Sequence, residues 1–244
     1  METASPALSE PPAKVAEKSE RALLTGNPMK RTRTHARLIA GVSIVLALTS
    51  LLFLAACSDD NKTETAKPEA KGPELVTGRS AFQKCYVAAR GWNQDAKPFR
   101  LESSVTTDGN GQDGKWAVWR ASFASATQRS TKPYTWSGSS ADGAPARGIN
   151  PGTEDSYNPS NASTQVFDIN FLKVDSDQAE ATAQKHGGDK ILEADPKTPV
   201  TYILDWNHNT NELVWHVIYG SSREDSKLRV AVNASTGEFI RVEK

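Results

Sequence analysis

An apolar run of 19 residues, Leu38 to Ala56, is set off on one side by the basic segment Lys30-Arg31-Thr32-Arg33-Thr34-His35-Ala36-Arg37 and on the other by Ser58-Asp59-Asp60. Asp59 to Gly72 then carries no aromatic or large aliphatic residue, so it cannot bury enough surface to fold and reads as a tether. From about Pro73 the pattern becomes globular. Thr77 to Gly91 predicts a helix, with Thr77 as N-cap, Ala81, Phe82, Cys85, Val87 and Ala88 as the apolar stripe, and Gly91 as the stop. Phe99 to Thr106 alternates as a strand into the turn Asp108-Gly109-Asn110-Gly111, and Trp116 to Ala126 follows as a second strand. Residues 131–163 contain Pro133, Pro145, Pro151 and Pro159 among many Gly and Ser, and predict a long loop of the kind that is often functional.

Gln165 to Val174 alternates, with Phe167, Ile169 and Phe171 on one side, and predicts another strand. Ser176 to His186 predicts a short helix capped by Asp175 or Ser176 and closed by Gly187-Gly188. Strands are then expected at Val200–Trp206, Glu212–Tyr219, Leu228–Asn233 and Glu238–Val242, the last returning across Ser235-Thr236-Gly237. The segment Ala117 to Ser125 lines up with Leu213 to Ser221, placing Trp119 against Trp215 and Arg120 against His216. This predicts two successive helix-then-strands units.

Charge over the whole chain is balanced, 29 basic against 29 acidic residues. Residues 1–56 hold seven of the basic and four of the acidic ones, so the remaining 188 residues carry 22 against 25. That mild acidity argues against nucleic acid as a partner.

The order of basic segment, apolar run and small residues is that of an export signal, and Leu54-Ala55-Ala56-Cys57 resembles the lipobox of bacterial lipoproteins. The resemblance implies cleavage between Ala56 and Cys57, lipidation of Cys57 with diacylglycerol and an N-acyl chain such as palmitate, and a stable membrane anchor, since one chain alone binds only marginally. The alternative is an uncleaved signal-anchor helix, because 19 apolar residues also suffice to span a bilayer. Either way the positive-inside bias sends the following domain out of the cytoplasm, to the periplasmic or cell-surface side. Met29-Lys30-Arg31 makes an ordinary signal start. Residues 1–28, rich in Ala, Pro, Glu and Ser, are expected to be a disordered lead or the product of a mis-assigned start.

The second unit resembles the PepSY family of bacterial envelope domains. The residues that carry the likeness are Trp215-His216-Val217-Ile218-Tyr219 and the closing hairpin Leu228-Arg229-Val230-Ala231-Val232-Asn233-Ala234-Ser235-Thr236-Gly237-Glu238-Phe239-Ile240. In that hairpin Asn233 can cap its own backbone and Gly237 supplies positive φ. The resemblance implies a helix on an antiparallel sheet, an association with protease inhibition or protein binding, and no catalytic residue.

Nothing in the chain matches a catalytic, cofactor or metal pattern: no Gly-x-Ser-x-Gly elbow, no phosphate loop before a helix, no HExxH. His208 and His216 flank a hairpin and are expected to be exposed; two imidazoles alone do not make a metal site. With Cys57 lipidated, Cys85 has no partner and is expected to be a buried small hydrophobe. Trp119 and Trp215 are expected in the core. Tyr134 and Trp136, at the start of the predicted loop, are the candidate partner-binding aromatics.

These observations predict an α+β protein: a signal peptide at 29–56, a flexible tether at 57–73, and two tandem helix-plus-antiparallel-sheet PepSY-like units at 74–174 and 175–244. The expected function is a non-enzymatic, lipid-anchored envelope protein without cofactor, held to the membrane through Cys57. It would bind an envelope protein or peptide, with restraint of a protease as one form. The alternative is a structural or assembly role in the envelope.

Overall fold

The computed structural model describes residues 72–243. The basic segment, the apolar run, the Ala56–Cys57 cleavage site, the Cys57 anchor and most of the tether lie outside the described residues. The chain runs through β1 (Val76–Thr77), α1 (Gly78–Trp92), β2 (Lys97–Ser103), β3 (Lys115–Trp116), β4 (Val118–Ser125), β5 (Ser130–Ser137), β6 (Gly148–Pro151) and β7 (Asp155–Ser156). It continues through α2 (Ser176–Ala183), α3 (Asp189–Ala194), β8 (Val200–Asn207), β9 (Glu212–Gly220), β10 (Ser226–Asn233) and β11 (Phe239–Glu243). The fold is α+β, as expected. One nine-stranded antiparallel sheet has the order β11-β10-β9-β8-β2-β4-β5-β6, with β7 also on β5, while β1 and β3 pair separately. The sheet crosses residue 174 without a break, because β2 pairs with β8 and sets Leu101 opposite Leu204.

Helices α1 and α2 lie on the same sheet, α1 over β2, β4 and β5 and α2 over β9 and β10. Alternate strand residues face them and form a single core in which Trp119, Trp215, Tyr202, Tyr219, Phe123 and Leu101 are fully buried. The two tryptophans do matching work. The Trp119 indole donates to the Val76 carbonyl at 3.0 Å and the Trp215 indole to the Val174 carbonyl at 2.9 Å, each carbonyl lying two residues before its helix begins. Their rings meet edge to face at 6.4 Å. A methyl group on Gly78 would stand 2.7 Å from Trp215, so a side chain there cannot be added without moving the pair.

A helix leaves its first amides without internal partners, and α1 solves this across the chain. Thr77 occupies its N-cap position but its side chain does not cap. Instead Gly78 N–H donates to Ser176 Oγ and Arg79 N–H to Asp175 Oδ1, both at 2.8 Å. Asp175 also caps its own helix in a capping box with Gln178.

Several expected elements differ. Helix α1 continues through Gly91, which is exposed and unobstructed. Helix α2 ends at Ala183 in a wide turn, Gln184–Gly188, where Gly187 takes φ +110°, before α3. Gln165–Val174 is not a strand. It is a strap with one short 3-10 turn at Ile169–Phe171, tied to β2 by Phe167 N–H to Pro98 O and to the β10–β11 turn by Lys173 and Val174 N–H to Ala234 O. Phe167 and Leu172 are its buried residues, whereas Ile169 and Phe171 are exposed. Residues 131–163 are not one loop, since β5 runs through Ser137 and β6 and β7 pair onto it. The closing hairpin forms as read: Asn233 Oδ1 accepts from the Ser235 and Thr236 amides, and Gly237 has φ +80°.

Candidate functional site

The face of the sheet opposite the helices carries the polar half of each strand's alternation. One cross-strand row runs Thr135, Arg120, Glu102, Ile203, His216, Ala231 and Arg241, each directly opposite the next. Charge concentrates where β2, β8, β9 and β11 meet. Nine-residue β9 is buried along nearly all its length, and His216 at its centre is the polar exception.

The His216 imidazole is engaged at both nitrogens. Nε2 lies 3.0 Å from Asp205 Oδ1 on β8 and Nδ1 lies 2.8 Å from Glu243 Oε2 on β11. Two flanking carboxylates accept two ring protons, so the arrangement holds an imidazolium. Burial pushes the His216 pKa down, but hydrogen bonds and charge from Asp205 and Glu243 outweigh it and the net shift is upward. For Asp205 and Glu243 burial pushes upward, and His216 reverses this to leave both below the usual carboxylate range.

Around this trio stand more charges. Arg241 pairs with Glu243 at 3.0 Å and Arg100 with Glu102 at 2.9 Å. Arg229 lies opposite Glu243 in register. Arg223, from the β9–β10 connection, reaches over β8 to within 3.7 Å of Asp205 Oδ2, and Arg100 Nη1 approaches the same oxygen to 3.9 Å. A cavity of about 230 Å³ opens here, lined by Arg100, Thr201, Ile218, Ser222, Arg223 and Glu224 among others.

Searches against protein-family models, curated proteins and solved structures find no match to this chain. The site therefore stands on its own chemistry. With both ring nitrogens of His216 taken, no imidazole lone pair faces outward for a metal or a substrate proton. Among the described residues no group of three or more His, Cys, Asp or Glu side chains is placed to hold a metal ion. What the face offers is fixed charge of both signs.

The candidate residues fall out as follows. Tyr134 and Trp136 are not exposed anchors: both sit on β5 at 5% and 4% exposure. The Tyr134 ring meets Phe123 edge to face, and Trp136 lies beneath the Lys84 ammonium at 4.4 Å. They pack α1 onto the sheet. His208 is in the exposed β8–β9 turn, but His216 is buried, contrary to the expectation of two exposed hairpin histidines. Cys85 is buried on α1 with its thiol donating to the Tyr134 carbonyl, and burial pushes that thiol up to about 12, which makes it inert. The trio of Asp205, His216 and Glu243 escaped sequence reasoning. Its one signal was a histidine inside the otherwise apolar run Leu213–Tyr219.

Proposed function

We propose that this protein is a lipid-anchored bacterial envelope protein, outside the cytoplasm, whose folded part binds another protein or a peptide, with restraint of a protease as its specific form. The Leu54-Ala55-Ala56-Cys57 tetrad supports the anchor. The architecture supports two tandem PepSY-like units: each half is a helix followed by an antiparallel meander, and Trp119 and Trp215 hold their helices alike.

The observation that carries the binding reading is the uncovered charged face together with the outer edge of β11, to which no further strand is joined among the described residues. An edge strand of this kind offers backbone donors and acceptors for strand addition, and Val242 on it is 48% exposed. The test is quantitative. The full chain, extracted from membranes, is used to capture its partner from envelope extract, and the recovered protein is purified and titrated. Recovery of a secreted enzyme whose affinity falls at least tenfold with Val242→Lys supports the reading. Absence of any saturable partner, with altered envelope integrity on deletion of the gene, overturns it in favour of a structural role. Intact mass of the same preparation tests the anchor: a chain beginning at Cys57 plus acyl groups is expected, and an intact 38–56 segment sinks it.

A further inference from the structure

The two ends of the sheet are finished differently. Strand β6 is four residues long, begins at Gly148 with φ +104° and closes on Pro151, which has no N–H to give. Strand β11 has neither glycine nor proline between Phe239 and Glu243. The direction of its free backbone groups follows from the hairpin. Asn233 N–H donates to Glu238 O and Asn233 O accepts from Gly237 N–H, while Ala234 N–H donates to Leu213 O on β9. Bonding along an antiparallel strand alternates between its two neighbours. Ala231 and Arg229 therefore turn their backbone toward β11, where they meet Arg241 and Glu243. Val242, between those two, points its N–H and C=O away from the sheet.

The side chains give this edge a pattern. Val242 stands opposite Val230 of the core, so it leans to the helix-covered side, half in solvent. Arg241 stands opposite Ala231 on the charged face, with its side chain 45% exposed. Among the described residues its guanidinium bonds only to Glu243 Oε1, through Nη2. The neighbouring carboxylates on this side are engaged elsewhere: Glu243 Oε2 by His216, Glu238 by Thr236 and Glu212 by Asn233. Arg229, opposite Glu243, adds a further cation. An antiparallel segment that sets one residue opposite Val242 necessarily sets its next residue opposite Arg241, where a carboxylate is favoured and a cation repelled.

We infer that β11 receives an extended antiparallel segment reading β-branched residue then Asp or Glu, the first set against Val242 and the carboxylate against Arg241. The inference deepens the strand-addition reading and rests on it for the occupied edge. A second copy of this chain fits less well. Its own Val242-Glu243 has the right order, but both oxygens of that Glu243 are already held, one by His216 and one by Arg241.

The test is selection of displayed decapeptides on the full chain, extracted in mild detergent and immobilised. A selected peptide is then made with Glu, Gln or Lys at the acidic position and titrated by fluorescence anisotropy. Val, Ile or Thr followed by Asp or Glu should be enriched. The Glu form should bind about two- to fivefold tighter than the Gln form, the range of a cross-strand ion pair, and the Lys form should bind weakest. Arg241→Gln should erase the difference between Glu and Gln, and Arg241→Glu should reverse the order in favour of Lys. Arg120→Gln, on the same face of β4, should change neither. Val242→Pro removes an N–H that the sheet does not use, and should abolish binding of all three forms. No enriched peptide, peptides that survive Val242→Pro, or a Glu preference unmoved by Arg241→Gln overturns the inference. A dimeric mass by light scattering that falls to a monomer in Val242→Pro assigns the edge to a second copy and also overturns it. If a captured partner loses affinity with Val242→Lys but keeps it with Arg241→Glu, the motif fails while the edge reading stands. If partner and peptides both ignore Val242→Lys, both readings fail.

Discussion

Arg120 and His216 stand at matching places in the two halves, each one residue after a tryptophan that ties down its helix, yet they live in different surroundings. Arg120 is exposed on β4 and stands opposite Glu102 and Thr135. His216 is buried and clasped by two carboxylates, one on β8 and one on the terminal strand. Their neighbours Trp119 and Trp215, on the opposite face, make the same bond in the same geometry. The helix-covered face shows the same pattern in both halves, while the open face holds a clasped histidine in one half only. Side chains that must interlock with a helix have little room to vary, and those that point away from it are free to.

The comparison breaks first at the tryptophans. Trp119→Ala and Trp215→Ala should each cost about 3–5 kcal/mol, and within about 1 kcal/mol of one another if the two sites are equivalent; denaturant unfolding checks this, and a large inequality would argue against matched roles. At the next position the halves should part. His216→Leu strands two carboxylates of low exposure and should cost about 2–3 kcal/mol, against no more than about 0.5 kcal/mol for Arg120→Leu. Double-mutant cycles joining His216→Leu to Glu243→Gln should recover part of the loss.

Acidity sharpens the same contrast. The His216 pKa is raised on folding, so its contribution is fully present below the ordinary imidazole value of about 6.5 and is lost as pH rises through the higher folded value. Asp205 and Glu243 are lowered, so their share is present above the ordinary carboxylate range and disappears as pH falls through their folded values. Stability from the trio is therefore greatest between those limits. Buried Glu180, pushed upward mainly by desolvation, also favours the folded state under acid conditions. The measurement is accordingly the difference between the wild type and His216→Gln across pH 4 to 9, and a flat difference would refute the imidazolium. A small effect also belongs to a surface pair: loss of the Lys84–Glu74 salt bridge, which is half in water, should cost less than about 1 kcal/mol.

Much of the scaffold could be read from residue order because local signals agreed with the tertiary result. Ala81, Phe82 and Cys85 of the α1 stripe, the Asp175 cap and the Asn233–Gly237 turn each needed only their own segment, whereas Val87, read into that stripe, is 73% exposed and Ala89 is buried in its place. Strand β5 could not be read that way. Pro133 lacks the N–H a ladder needs, but β6 pairs with 134–137 and β7 with 130–131, so the proline falls in the gap between two partners. The strap at 165–174 misled in the opposite direction, since Phe167, Ile169 and Phe171 alternate in sequence while burial falls on Phe167 and Leu172. The charged trio depends on strand register, which sets which side chains meet across β8, β9 and β11, and Arg223 arrives from a connection with no periodic signal at all.

Asp175 and Ser176 close the amides of α1 from the far end of the first half. A gene cut between codons 174 and 175 would therefore yield a leading fragment whose helix begins with open donors and whose β2 has lost β8. The trailing fragment would keep the Asp175 capping box of α2 but lose the α1 amides that Asp175 and Ser176 receive. Neither piece would be a domain in the sense of a thing that can be inherited alone. Whatever the history of the two halves, selection now sees them as one heritable object, and recombination inside the junction should be lethal to the fold.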